Sequence, residues 1–143
     1  MRALLDVNVL IALLDSRHLH HHRATAWLAA HLRSGWASCP LTQNGCIRIL
    51  SQPSYPNTSA VALVAKHLGE AVASAEHEFW PDDVSLVAQG TLDWSRVLGT
   101  RQVTDAYLLA LAVHHGGRLV TLDQGIPLAA VTGAKRTHLE VIE

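Results

Sequence analysis

Three aspartates of this sequence lie where one divalent cation could bind them together. Asp6 and Asp123 each follow a short apolar run that is typical of a buried parallel strand, and Asp105 lies at the start of a strongly apolar helix. In an open α/β sheet the carboxyl ends of the parallel strands meet at one edge, and ligands bind there. Carboxylate oxygens are preferred ligands of Mg²⁺ and Mn²⁺. The pattern therefore predicts a metal site formed by Asp6, Asp105 and Asp123.

Each aspartate also has a structural explanation when it is considered alone. Asp6, together with Asn8, could cap the helix that follows. A carboxylate in the first turn of a helix, such as Asp105, is favoured by the helix dipole by about 0.3–1 kcal/mol. Asp123 lies in a Leu-Asp-Gln-Gly turn, and aspartate is common in turns. The metal site depends on the joint position of the three acids, and the residues alone leave both interpretations open.

The apolar pattern predicts the elements that must position these acids. Strands are predicted over 2–6, 36–39, 78–80, 119–122 and 139–142, and helices over 9–14, 20–33, 59–75 and 106–113. A further helix is predicted with Thr42 as its N-cap, whereas 90–101 shows no clear pattern. Strands that alternate with helices are typical of an α/β fold with a parallel sheet and helices on both faces. No repeat or linker divides the chain, so one domain over 1–143 is expected.

Composition and charge exclude several classes of protein. Almost half of the 143 residues are hydrophobic, which is typical of a globular chain and not of a disordered one. The 11 Lys and Arg residues are balanced by 12 Asp and Glu residues, so no strongly basic nucleic-acid surface is expected. The apolar run 9–14 is too short for a membrane span of about 20 residues. We expect a cytoplasmic protein without membrane association, in which Cys39 and Cys46 are buried thiols.

The histidines do not predict a metal site. Four of them lie at the start of the second predicted helix: His18, His20, His21 and His22. Successive residues of a helix do not face one another, so this run cannot offer four ligands to one ion, and we interpret it as a solvated helix start. His114 and His115 end the apolar helix, where a cation suits the helix dipole, and no chemistry is assigned to them.

Four motifs, taken in order, resemble those of the PIN-domain ribonucleases, and more closely the VapC toxins of bacterial type II toxin–antitoxin pairs. The motifs are LLDVNVL at 4–10, CPLTQNG at 39–45, TDAYLLALA at 104–112 and VTLD at 120–123. A single motif of this kind would be weak evidence. Four in the same order over essentially the whole chain are specific, so the resemblance extends from end to end.

The resemblance implies a PIN-like three-layer α/β/α sandwich with a mostly parallel central sheet. It implies an endoribonuclease that depends on Mg²⁺ or Mn²⁺, with an RNA substrate, a small antitoxin as partner and a homodimeric assembly. The predicted helix 59–75 is a candidate for the dimer surface. Catalytic, metal-binding roles carry over to Asp6, Asp105 and Asp123, and supporting roles to Asn8, Thr42 and Thr121.

The second motif departs from the family at Gln43, where relatives usually have a glutamate. Glutamine keeps the length and one oxygen but removes a full charge, so three carboxylates would remain where relatives have four. In an active enzyme Gln43 would have a catalytic role as a hydrogen-bond partner of metal-bound water or substrate. The alternative is a catalytically weakened module that binds RNA or an antitoxin. A DNA substrate is less favoured, because the related flap-type nucleases are larger and carry additional DNA-gripping elements.

Overall fold

The protein, described over all 143 residues by a computed structural model, is built on a sheet of five short strands. The strands are β1 (Ala3–Leu5), β2 (Trp36–Ser38), β3 (His77–Phe79), β4 (Arg118–Thr121) and β5 (Leu139–Val141). Their spatial order is β3-β2-β1-β4-β5, and every neighbouring pair is parallel. The chain moves outward from β1 to β3 and then crosses to β4 on the other side of β1. This reversal opens a crevice at the carboxyl ends of β1 and β4.

Five helices cover the two faces of the sheet. They are α1 (Val7–Leu14), α2 (His21–His31), α3 (Pro40–Leu50), α4 (Val61–Val72) and α5 (Gln102–His114). Alternate residues of β1 point to opposite faces: Ala3 and Leu5 pack with residues of α1 to α4, whereas Leu4 packs with α5. The structure therefore confirms the predicted three-layer α/β/α sandwich.

The burial of α5 follows from its position between the sheet and a long connecting segment. All residues from Ala106 to Ala112 are buried, as the continuous apolar run predicts. Its buried neighbours include Leu4, Ala37 and Leu119 of β1, β2 and β4, and a larger number from connecting segments, such as Leu92 and Val131. The two cysteines, Cys39 and Cys46, are free and buried, which confirms that prediction.

The predicted starts of two helices were wrong. Helix α3 begins at Pro40 with Cys39 as its N-cap, and Thr42 lies inside the first turn. Proline suits the first helical position because that residue needs no N–H. Helix α5 begins at Gln102, four residues before the predicted start. The unassigned segment before it contains a single β-bridge from Leu92 to Val131 and a 3₁₀ turn, Trp94–Arg96. No helix combines the length and apolar character that a membrane crossing requires.

Candidate active site

The predicted acids converge at the crevice formed by the ends of β1 and β4. Asp6 directly follows β1, Asp123 comes two residues after β4, and Asp105 lies in the first turn of α5. Asp6 and Asp105 line one part of the crevice, and Asp105 and Asp123 line the adjoining part. Repulsion from Asp6 and Asp123 contributes to raising the pKa of Asp105, so the three charges act on one another.

Asp6 is held in a single position by hydrogen bonds to both carboxylate oxygens. The backbone N–H of Val7 donates to Oδ1 at 2.7 Å, and the hydroxyl of Thr121 donates to Oδ2 at 2.7 Å. The first bond makes Asp6 the N-cap of α1. Only 6% of its surface is exposed, and this burial raises its pKa. Asp6 therefore caps a helix and also contributes to the crevice, so its two explanations are compatible.

Thr121 and Asn8 connect the ends of β1 and β4. The Thr121 hydroxyl oxygen, fully buried, accepts from the Asn8 side-chain amide at 3.2 Å and from the backbone N–H of Asp123 at 3.0 Å. Asn8 in turn accepts from the backbone N–H of Leu122 at 3.2 Å. The structure thus brings two of the three predicted supporting residues, Asn8 and Thr121, into contact with the acids or their immediate backbone.

The electrostatics of the crevice fit a divalent cation. Burial, followed by repulsion from Asp6 and from Asp123, raises the pKa of Asp105 to about 6. None of the three acids forms an ion pair with a Lys, Arg or His side chain within 4.0 Å. Asp6 is buried, Asp105 is partly buried and Asp123 is exposed. Buried and partly buried carboxylates without a cationic partner are unfavourable unless a cation neutralises them. Oxygen-only donors of this kind suit Mg²⁺ or Mn²⁺.

Two of the predicted residues lie away from the acids. The Gln43 side-chain amide donates to the Ser38 hydroxyl at 3.0 Å, and that hydroxyl also contacts Nε2 of His77 at 2.7 Å. The Thr42 hydroxyl accepts from the backbone N–H of Cys39 at 3.0 Å and so stabilises the start of α3. Neither side chain lines the crevice.

The residue of α3 that faces the acids is Asn44, which the sequence reasoning missed. The crevice-lining face of α3 consists of Leu41, Asn44, Gly45, Arg48 and Ile49. These positions follow the i, i+3, i+4, i+7, i+8 spacing of one helix face, and Gln43 does not belong to that series. The spacing was visible in the sequence, but which helix face turns toward the crevice was not.

The matching family model decides the relationship of this chain to known proteins. The model, described as "PIN domain", matches residues 3–131. The chain belongs to the PIN-domain family. Ribonuclease VapC44 of Mycobacterium tuberculosis is 53% identical to it over 142 residues, which are 99% of this chain and 100% of the relative. The resemblance inferred from the four motifs is thereby confirmed.

Two solved structures share the fold of this PIN domain. VapC20 of Mycobacterium tuberculosis, described as a toxin that cleaves the sarcin-ricin loop, matches with a TM-score of 0.58 and 13% identity over 81% of this chain and 85% of the other. VapBC2 of Rickettsia felis, bound to a DNA fragment of its promoter, matches with a TM-score of 0.57 and 11% identity over 86% and 89%. At these identities the two structures support the fold alone.

Two arginines line the crevice of this PIN domain together with the acids. Arg48 of α3 lines the part of the crevice that contains Asp6, and Arg101 lines the part that contains Asp123. Both arginines are exposed. Asp105 lines both parts, so each arginine shares its part of the crevice with Asp105.

Proposed function

We propose that this PIN domain is a metal-dependent endoribonuclease that acts as the toxin of a toxin–antitoxin pair. The observation that carries the proposal is the crevice in which Asp6, Asp105 and Asp123 lie together without a cationic partner. It is supported by the full-length similarity to a relative named as a ribonuclease.

In this proposal Asp6, Asp105 and Asp123 hold Mg²⁺ or Mn²⁺. Such an ion lowers the pKa of bound water and stabilises charge on a phosphodiester. The protein contributes a fixed set of oxygens, because the bonds from Thr121 and the Val7 backbone restrict Asp6. Asp105 is only partly buried and lies where the two parts of the crevice meet, so it remains accessible to ion and substrate.

The arrangement of positive and negative side chains suits an RNA backbone. An acidic crevice repels phosphate unless a cation lies between them, so substrate binding at the centre depends on the metal. Arg48 and Arg101 line the two parts of the crevice and can contact phosphates there, because a guanidinium group matches phosphate geometry. RNA recognition commonly uses single-stranded loops, which would fit an open groove of this kind.

Partner binding is part of the same proposal. The solved VapBC2 complex has this fold. We infer that a small antitoxin inhibits the present chain by inserting a segment into the crevice, where an Arg of that segment pairs with the carboxylates.

Helix α4 is proposed as the homodimer surface, because Val61 and Leu63 expose 60% and 43% of their surface. Size-exclusion chromatography with light scattering on a Val61→Asp variant tests the dimer.

The nuclease proposal is tested with partner-free protein and a fluorogenic single-stranded RNA in Mg²⁺, Mn²⁺ or EDTA. We expect cleavage that requires the metal and is lost in Asp105→Asn. Glu143→Gln, which removes an exposed carboxylate outside the crevice and outside α4, is the matched control and should cleave at the wild-type rate. Cleavage that persists in EDTA or in Asp105→Asn would contradict the assignment.

The alternative, a module that binds RNA or antitoxin without cleaving it, rested on the missing charge of Gln43. Because Gln43 bonds to Ser38 outside the crevice, that argument now applies to Asn44, whose amide faces the acids. Folded, metal-replete protein that binds RNA but cleaves neither single-stranded nor structured RNA would favour the alternative.

A further inference from the structure

A second cluster of metal-ligating side chains lies at the opposite end of α5 from the acidic crevice. Asp83 lies in the segment after β3, His114 is the last residue of α5, and His115 follows it. The ligand atoms of these three residues all lie within 4.8 Å of one another, and no other group of three His, Cys, Asp or Glu side chains meets this condition. The distance along α5 from Asp105 to His114 is about 14 Å, at about 1.5 Å per residue.

Asp83 contacts both imidazoles with different carboxylate oxygens. Its Oδ2 lies 3.4 Å from Nε2 of His114, and its Oδ1 lies 2.9 Å from Nε2 of His115. Two ligands of a tetrahedral Zn²⁺ ion, with bonds of about 2.0–2.2 Å, are about 3.4 Å apart. The Asp83–His114 pair already has this separation, and the Asp83–His115 pair is about 0.5 Å closer. Small side-chain rotations therefore suffice to place an ion among the three ligands.

The surroundings of the cluster restrict one ligand and leave the others accessible. The His115 ring stacks on buried Trp80, with ring centroids 4.5 Å apart and planes at 11°, so its orientation is restricted. The side chains of His114 and Asp83 are 53% and 40% exposed, which leaves a path for an ion from solvent. The C-terminal end of a helix carries partial negative charge and favours a cation.

We propose that Asp83, His114 and His115 bind a transition-metal dication such as Zn²⁺, separately from the acidic crevice. Imidazole suits Zn²⁺, whereas Mg²⁺ prefers sites made of oxygen alone. Three protein ligands leave a fourth tetrahedral position for water. Because Asp83 and the two histidines belong to distant segments, the ion would connect the segment after β3 to the end of α5 and stabilise the folded chain.

The test is isothermal titration of the full chain with ZnCl₂ in excess Mg²⁺, which occupies the acidic crevice, because carboxylate oxygens also bind Zn²⁺. We expect one binding step with one ion per chain. His114→Gln should weaken this step by at least about tenfold, with unchanged thermal stability in EDTA, because His114 is exposed and Trp80 stacks on His115 instead. His22→Gln is the matched control: it removes an exposed histidine from the first turn of α2 and should leave the step unchanged.

Two further measurements identify the ligands. Asp83→Asn should weaken the Zn²⁺ step as His114→Gln does, and Asp105→Asn should not change it. Thermal unfolding should show that Zn²⁺ raises the Tm of the wild type more than that of His114→Gln. A step that survives both ligand variants, a step that is lost in His22→Gln or Asp105→Asn, or no step at all would overturn the proposal.

Discussion

Replacing Asp105 with asparagine should stabilise the metal-free protein, although it removes a proposed metal ligand. Burial and the charges of Asp6 and Asp123 raise the pKa of Asp105 from 3.8 to about 6. At about 1.36 kcal/mol per pKa unit, the ionised side chain costs the folded state up to about 3 kcal/mol at neutral pH. Partial exposure of the side chain and ionic screening reduce this free-energy cost to about 1–2 kcal/mol. The variant also loses the favourable interaction of the Asp105 carboxylate with the dipole of α5, and this loss reduces the predicted stabilisation by about 0.3–1 kcal/mol.

The net result is a stabilisation of about 1 kcal/mol, or about 2–4 °C in Tm for a chain of this size. The size of this stabilisation depends on pH. Below pH 3.8 Asp105 is protonated in the folded and the unfolded wild type, so the variant removes no charge. The cost of ionisation develops between pH 3.8 and about 6 and is complete above that range. The stabilisation should therefore be larger at about pH 7.5 than at about pH 4.5.

Urea unfolding in EDTA at the two pH values measures this difference, with Glu143→Gln as the control that should change the free energy of unfolding at neither pH. Saturating Mn²⁺ should reverse the order, because the ion stabilises the wild type more than a variant that lacks one ligand. If Asp105→Asn is less stable than the wild type in EDTA at both pH values, the argument from charge repulsion is refuted. If the variant binds Mn²⁺ as tightly as the wild type, Asp105 is not a ligand.

Three further predictions concern the residues around the acids. Gly45→Ala should lower the free energy of unfolding by urea by about 1 kcal/mol, because a Cβ there would lie 2.9 Å from a methyl group in the first turn of α1. Gly69→Ala, with open space around it, should raise the free energy of unfolding by about 0.5–1 kcal/mol. Equal effects of the two substitutions would contradict this argument. Thr121→Val should lower the free energy of unfolding by about 2 kcal/mol at pH 7 in urea unfolding, because the buried carboxylate of Asp6 loses its hydroxyl donor. A decrease below about 0.5 kcal/mol would show that this hydrogen bond is dispensable. Asn44→Asp should tighten Mn²⁺ binding about tenfold by calorimetry, because it adds a negative charge to the lining of the crevice. Gln43→Glu should tighten Mn²⁺ binding much less, because Gln43 bonds to Ser38 outside the crevice. The reverse order of effects would place Gln43 at the metal.

The positions of the acids were predictable because their signals are local. Asp6 and Asp123 follow short apolar runs, and Asp105 opens an apolar helix. In a parallel sheet these places share one edge whatever the order of the strands, so the convergence did not require knowledge of the topology. The wrong predicted start of α3 also has a local cause. Hydrogen-bonding side chains such as Thr42 act inside the first turn as well as at the cap.

The sequence by itself determined the α/β class, the order of strands and helices and the three carboxylates of the crevice, since these follow from apolar periodicity and side-chain chemistry. Only the tertiary structure decided that Asn44 faces the acids while Gln43 bonds to Ser38. The rotation of α3 depends on its packing against α1 at Gly45. The meeting of Asp83 with the end of α5 is likewise a contact between distant segments. Local patterns do not encode such contacts, because they arise only when elements far apart in the chain pack together.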